Sequence, residues 1–330
     1  MEKIVYPAGK IEDDKFVFGE SVKKIRIDVG LSSSGPFSAR WLKNNDDVGV
    51  IAIEANPYCC RDLIYGGTKN GMEDTLLLYY NQVSRYVGEV SEGYVGTHIM
   101  GYTPEEWING AEIPFQEIPR IFSVGNSTFR IAPLFSQAPS AHSYDGYYTP
   151  TPHRQAPLFN DVKDITDRCV LLNAGVLNTK DPLTIEHHTL YSTFPRLGNS
   201  SFSKEFLDPC DDKEIKEEIK TPCLSLEKVF SYVDWSRFPV IECIKVDVEG
   251  VDLEVLKSAG NQIQKVVYFR VEAFDETSEH DAAINPEDGK KIIEYLSSKG
   301  FELFDRTPGD FKFVNSSLKH TIPASGYSWD

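Results

Sequence analysis

Lys24-Ile-Arg-Ile-Asp-Val-Gly-Leu-Ser-Ser-Ser-Gly-Pro36 is the stretch on which the fold turns. Ile25, Ile27 and Val29 alternate along its first six residues, the period of a strand. Gly30 to Gly35 then reads as a turn, and Pro36 stands where a fixed φ suits the first residue of a helix. Phe37 and Trp41, four apart, share one face of that helix, which Asn44-Asn45 ends. Val48-Gly-Val-Ile-Ala-Ile-Glu54 follows as a nearly continuous apolar run, as expected of a strand covered on both sides. Asn56-Pro57 supplies an N-cap and a proline at N1 for a second helix. Strand, helix, strand, helix predicts a parallel sheet.

The alternation stops at Gly66 and resumes at Arg168-Cys-Val-Leu-Leu-Asn173, the third strand. A polar, serine-rich stretch runs from Thr193 to Ser203, with His187 and His188 in the loop before it. Ser225 caps a helix whose Leu226, Val229, Phe230 and Val233 recur at helical spacing. Glu242-Cys-Ile-Lys-Val-Asp-Val248 is strand four, Glu249 to Gly260 a helix, and Lys265 to Glu272 strand five. Asn285-Pro286 opens a further helix that stops at Gly300. Phe301–Phe304 and Phe311–Val314 form a closing antiparallel pair. The expected fold class is α/β: a Rossmann-like open, mostly parallel sheet with helices on both faces and a large insertion after the second strand and helix.

The expected domain plan has residues 1–65 as the first part of the catalytic domain and 166–315 as its second part. Residues 66–165 form an insertion, read as a substrate lid, and 316–330 a C-terminal tail. The insertion holds 8 of the 16 tyrosines and 8 of the 19 prolines. A structureless loop of that length is implausible.

Composition excludes several classes. With 50 Asp plus Glu against 34 Lys plus Arg, the formal net charge is −16, which repels nucleic acid and anionic membrane. No run approaches 18 apolar residues, and the first 20 residues contain no signal-peptide core. The six cysteines are scattered without a Cys-x-x-Cys pair, as expected of reduced thiols in a cytoplasmic protein. The expected partners are a small-molecule or glycan acceptor, with no nucleic acid and no membrane; oligomeric state is not legible.

In open α/β sheets ligands bind outside the carboxyl ends of the strands, so the strand-end residues carry the function. Gly30-Leu-Ser-Ser-Ser-Gly35 differs from a dinucleotide turn in having Ser32 where a glycine would admit a pyrophosphate. That disfavours a nicotinamide oxidoreductase. It suits a cofactor without phosphates, such as S-adenosylmethionine, whose aminoacyl end can lie along the turn. Glu54 ends strand two 26 residues after Asp28, where a carboxylate can accept both ribose hydroxyls of a nucleoside. Lys245-Val-Asp-Val-Glu-Gly250 is the most informative run. Strand alternation sends Lys245, Asp247 and Glu249 to one side, and three charges on a central strand are costly to bury unless paired or used.

Five blocks together resemble FkbM-family methyltransferases, which are class I S-adenosylmethionine-dependent O-methyltransferases. They are Ile25–Gly30, Ala52–Pro57, Gly198–Phe202, Ile244–Gly250 with Leu253–Leu256, and Val271-Glu272. The chain departs from the family in placing Gly35 five residues after Gly30, with serines between, and in its long insertion. The resemblance implies methyl transfer to a hydroxyl of a sugar, glycan or related metabolite. For the cofactor it points to Asp28, Gly30, Ser32 and Gly35, and to Glu54, Asn56, Asn173 and Asp247. Asp247 and Glu249 are the first candidates for general base, with Lys245 tuning them, Glu272 next, and His187 as a base natural to neutral pH. A divalent metal on Asp247, Glu249, Glu272 and Asp275 is admissible but not expected. The other reading is a non-catalytic binding protein on a methyltransferase scaffold.

Overall fold

The computed structural model describes residues 10–32, 35–56, 59–60, 121–124, 127–130, 143–144, 147–148, 165–194, 200–207, 214–273, 286–307 and 309–321. Seven strands form the central sheet: β1 (Lys24–Val29), β2 (Val48–Glu54), β3 (Cys169–Asn173), β4 (Ile241–Val246), β5 (Val266–Glu272), β6 (Phe301–Thr307) and β7 (Asp310–Asn315). Their order across the sheet is β6-β7-β5-β4-β1-β2-β3. The five strands from β5 to β3 are parallel, and the β6–β7 hairpin adds antiparallel to β5. The expected α/β class holds, with a largely parallel central sheet.

Strand alternation divides the core. Ile51 and Ile53 of β2 join one apolar cluster with Ile25, Ile27 and Val29, while Val50 and Ala52 join another with Trp41 and Leu171. Helix α1 (Pro36–Asn44) begins at Pro36 as expected and lays Trp41 into the second cluster. On this face Arg26 is fully buried against Glu242 at 2.6 Å, with its guanidinium over the Trp41 ring. Helix α2 (Leu226–Ser231) is capped by Ser225, whose hydroxyl accepts from the Lys228 N–H at 2.8 Å.

Other expectations are corrected. Strand four ends at Val246, two residues early, and the following helix, α3 (Asp252–Lys257), starts at Asp252 and not at Glu249. The reason is backbone: Glu249 and Gly250 both have positive φ, 55° and 93°, which a right-handed helix cannot contain. His187 and His188 are in a strand and not a loop. Glu186–Phe194 pairs antiparallel with Glu214–Leu224, which pairs parallel with Gly175–Val176, making a separate three-stranded sheet. Helix α4 (Pro286–Ser298) follows Asn285-Pro286 as expected.

Of the expected insertion, the described residues comprise two short antiparallel pairs, Ile121–Val124 with Ser127–Arg130 and Ser143–Tyr144 with Tyr147–Tyr148. The lid reading otherwise lies outside the described residues, as do most of the helix after Asn56, Asp275, and the tail beyond residue 321. No helix among the described residues is long and apolar enough to cross a membrane.

Candidate functional site

Sheet order brings the ends of β1, β2, β4 and β5 together, and a cavity of about 230 Å³ opens there. One wall is the turn after β1. Gly30 sits in left-handed backbone, φ 79°, between two strands: its N–H donates to the Ile53 carbonyl at 2.9 Å. A Cβ on it would fall 1.8 Å from the Asp247 carbonyl oxygen, so only glycine fits. Ser32 is also left-handed, φ 59°, and its N–H donates to Glu54 Oε2 at 2.9 Å. Glu54 Oε1 accepts from the Asn56 N–H at 2.7 Å. Burial raises the proton affinity of Glu54, and these two N–H groups oppose the rise. The Leu31 N–H opposes it as well, and Glu54 lines the cavity.

The opposite wall is acidic. Asp247, Glu249 and Glu272 line the cavity, and one ligand oxygen from each lies within 4.8 Å of the others. Burial and the carboxylates of Asp247 and Glu249 push Glu272 well above the usual carboxylate range, and it shares a hydrogen bond with Asp247. Burial is the largest influence on Asp247 and would raise it, but the Lys245 ammonium, 2.9 Å away, the hydrogen bond with Glu272 and the Arg270 charge together outweigh it and hold Asp247 below its ordinary value. Two neighbouring acids with opposed shifts are the arrangement in which one keeps a proton and the other stays ionised.

Lys245 itself stands behind the wall. It is 4% exposed and does not line the cavity. Its ammonium donates to the Gly30 carbonyl at 2.6 Å, pairs with Asp247, lies 3.6 Å from Asp28 Oδ1, and faces the Phe37 ring. Burial alone would lower it; Asp247 and Asp28 hold it above its ordinary value. It joins the two walls and touches no ligand space.

The cavity therefore gathers Gly30, Ser32, Glu54, Asp247, Glu249 and Glu272 from the expected residues. The others lie off it. Asp28 is buried under α1, where Oδ2 accepts from the Ser38 hydroxyl at 2.6 Å and the Ser38 N–H at 3.1 Å. Gly35 precedes α1 in left-handed backbone. Asn173 donates through Nδ2 to the carbonyls of Glu54 and Ala55. Asn56 Nδ2 donates to the Ser200 hydroxyl at 3.0 Å and supports the wall from outside. His187 is exposed on its strand, away from the cavity lining.

Two features were not read from the sequence. The three-stranded sheet supplies a third wall: Val176 and Leu190 with Ser200 and Phe202 line the cavity. Its signal was the β-branched and aromatic run Thr189–Thr193, masked by its polar neighbours. The second is Asp252. Buried at 6% exposure, it accepts from the N–H groups of Val248 (3.1 Å) and Gly250 (3.3 Å) and so fixes the loop that carries Glu249. Burial and the nearby Asp247 push it up to about 7. From the other side the Ser201 hydroxyl donates to the Glu249 carbonyl at 2.6 Å. The described cysteines are buried; burial pushes Cys169 and Cys223 up to about 12, so neither is a thiolate near neutrality.

No curated protein and no solved structure matches the chain. A family model does, over residues 148–303, and it is that of the methyltransferase FkbM domain. The match includes β3, β4 and β5 with the acidic wall, and begins inside the segment expected as an insertion; β1 and β2 lie outside it. Residues 148–303 thus match the methyltransferase FkbM domain, the family that the sequence blocks resemble.

Proposed function

We propose that this protein transfers a methyl group from S-adenosylmethionine to a hydroxyl of a sugar, glycan or related metabolite. The observation that carries the proposal is the cavity at the strand ends, with the Gly30 turn and Glu54 on one side and Asp247, Glu249 and Glu272 on the other, next to a matched FkbM domain. S-adenosylmethionine, when bound, supplies a methyl group activated on a sulfonium cation. The residues present suit it. Glu54, at the cavity, can accept a ribose hydroxyl, and the Gly30–Ser32 turn lines the cavity with a serine where a dinucleotide turn has the glycine that admits a pyrophosphate.

The chain's own work is positioning and proton transfer. Approach geometry for methyl transfer is strict, so holding both reactants supplies much of the acceleration. Glu272 is the better base of the acidic pair, because its raised proton affinity matches a hydroxyl that gives up its proton as the new C–O bond forms. Asp247, kept ionised by Lys245, orients that hydroxyl and stabilises the protonated Glu272. This moves Glu272 ahead of Asp247 and Glu249 as general base. The rate of transfer then rises with pH as Glu272 loses its resting proton.

Calorimetry with S-adenosylmethionine and with NAD tests the cofactor, and labelled-methyl transfer to a panel of neutral glycosides and polyols tests the reaction. Binding of S-adenosylmethionine alone is the expected result. Binding of NAD alone would overturn the proposal.

A further inference from the structure

The charge on the cavity wall bears on which form of the cofactor it prefers. Four carboxylates line it, those of Glu54, Asp247, Glu249 and Glu272, and among the described residues no Lys, Arg or His does. The Lys245 ammonium is set behind the wall, turned to the Gly30 carbonyl and Asp247. One such cation, together with one proton shared between Asp247 and Glu272, leaves the wall net negative. Val176, Leu190 and Phe202 line the same cavity, and their apolar side chains lower the local dielectric so that charges act over several ångströms.

Given the proposed cofactor site, we propose that the acidic wall reads the charge on the cofactor's sulfur. The sulfonium donor binds more tightly than the neutral thioether that remains after transfer, so the spent cofactor leaves readily and inhibits weakly. Donor and spent cofactor share the nucleoside and the ammonium and carboxylate of the amino-acid end. They differ by one methyl and one positive charge, so their affinity ratio isolates the sulfur. Unit charges a few ångströms apart inside a protein attract enough for a preference of about tenfold or more. Glu249 supports the reading from backbone geometry: it is held in left-handed conformation by Asp252 and Ser201, a strain that places its carboxylate beside those of Asp247 and Glu272.

The test is calorimetry of the full chain with S-adenosylmethionine and with S-adenosylhomocysteine, at low ionic strength, on the wild type, Glu249→Gln and Glu272→Gln. The wild type is expected to bind the sulfonium about tenfold or more tightly. The ratio is expected to fall toward one in Glu249→Gln, which removes a charge, and to change little in Glu272→Gln, whose carboxyl already holds the shared proton. Equal or tighter binding of the thioether by the wild type overturns the proposal, as does a ratio that Glu249→Gln leaves unchanged. If Glu249→Gln fails to fold, the wild-type ratio and its fall with added salt decide. If the wild type binds neither compound, the cofactor assignment itself falls and this proposal with it, a result distinct from tight thioether binding.

Discussion

The turns after β1 and β4 lie side by side at the centre of the sheet. Each contains a left-handed glycine and a left-handed non-glycine residue: Gly30 with Ser32, and Gly250 with Glu249. They are held in different ways. The first is fixed from outside, by the Lys245 ammonium on the Gly30 carbonyl, by Glu54 on the Ser32 N–H, and by the Asp247 backbone, just after β4, pressed against Gly30. The second is fixed largely by its own chain, through Asp252 two residues on, with Ser201 and the Phe206 ring closing over it. A turn held by distant neighbours leaves little local signature; a turn that holds itself writes one. The second is the block whose resemblance is specific, and it lies inside the matched FkbM segment, whereas the first lies outside it.

The strongest way to break this contrast is Gly30→Ala. The new Cβ meets backbone at 1.8 Å and the residue must keep φ 79°, so the centre of the sheet has to open. A loss of about 4 kcal/mol or more, or failure to fold, is expected in urea unfolding. Lys245→Met comes next, at about 3–5 kcal/mol, because it strips the ammonium from Asp247 and from buried Asp28, whose Oδ1 has no hydrogen-bond partner among the described residues. If the first turn were self-supporting, this change would leave it intact and cost far less.

Asp252 sharpens the contrast through pH. Its folded-state value of about 7 lies above the ordinary 3.8, so the folded protein holds this proton where the unfolded chain has lost it. Its contribution to stability is full below about pH 4 and is lost as pH rises to about 7. Urea unfolding of wild type and Asp252→Asn from pH 4 to 8 should show the wild type losing its relative advantage with rising pH, by up to about 1.4 kcal/mol per unit. A relative gain with rising pH would contradict the burial argument. The smallest stability effect is expected of Glu249→Gly, which relieves a left-handed side chain: stability unchanged or raised by up to about 1 kcal/mol, with methyl transfer reduced about tenfold or more. Thermal unfolding and a transfer assay read the two together.

The same contrast explains what was legible in the sequence. The central parallel strands followed from apolar runs and from caps such as Pro36 and Ser225, because these signals are local. So did the meeting of Glu54, Asp247, Glu249 and Glu272, since strand ends of an open sheet converge. Asp28 and Lys245 were also placed at the strand end, but alternation turns them toward α1, where Ser38 and Phe37 receive them. The three-stranded sheet was missed because its pairing, such as His187 with Pro222, joins segments with no shared local pattern. The start of α3 was misplaced because left-handed Glu249 has the composition of a helix and not the backbone.

The most direct test of the central claim is electron density from a crystal of the full chain grown with S-adenosylhomocysteine. The account expects the ribose hydroxyls on Glu54 and the sulfur on the side of Asp247, Glu249 and Glu272. A nucleoside bound elsewhere, with this cavity left empty, would contradict it.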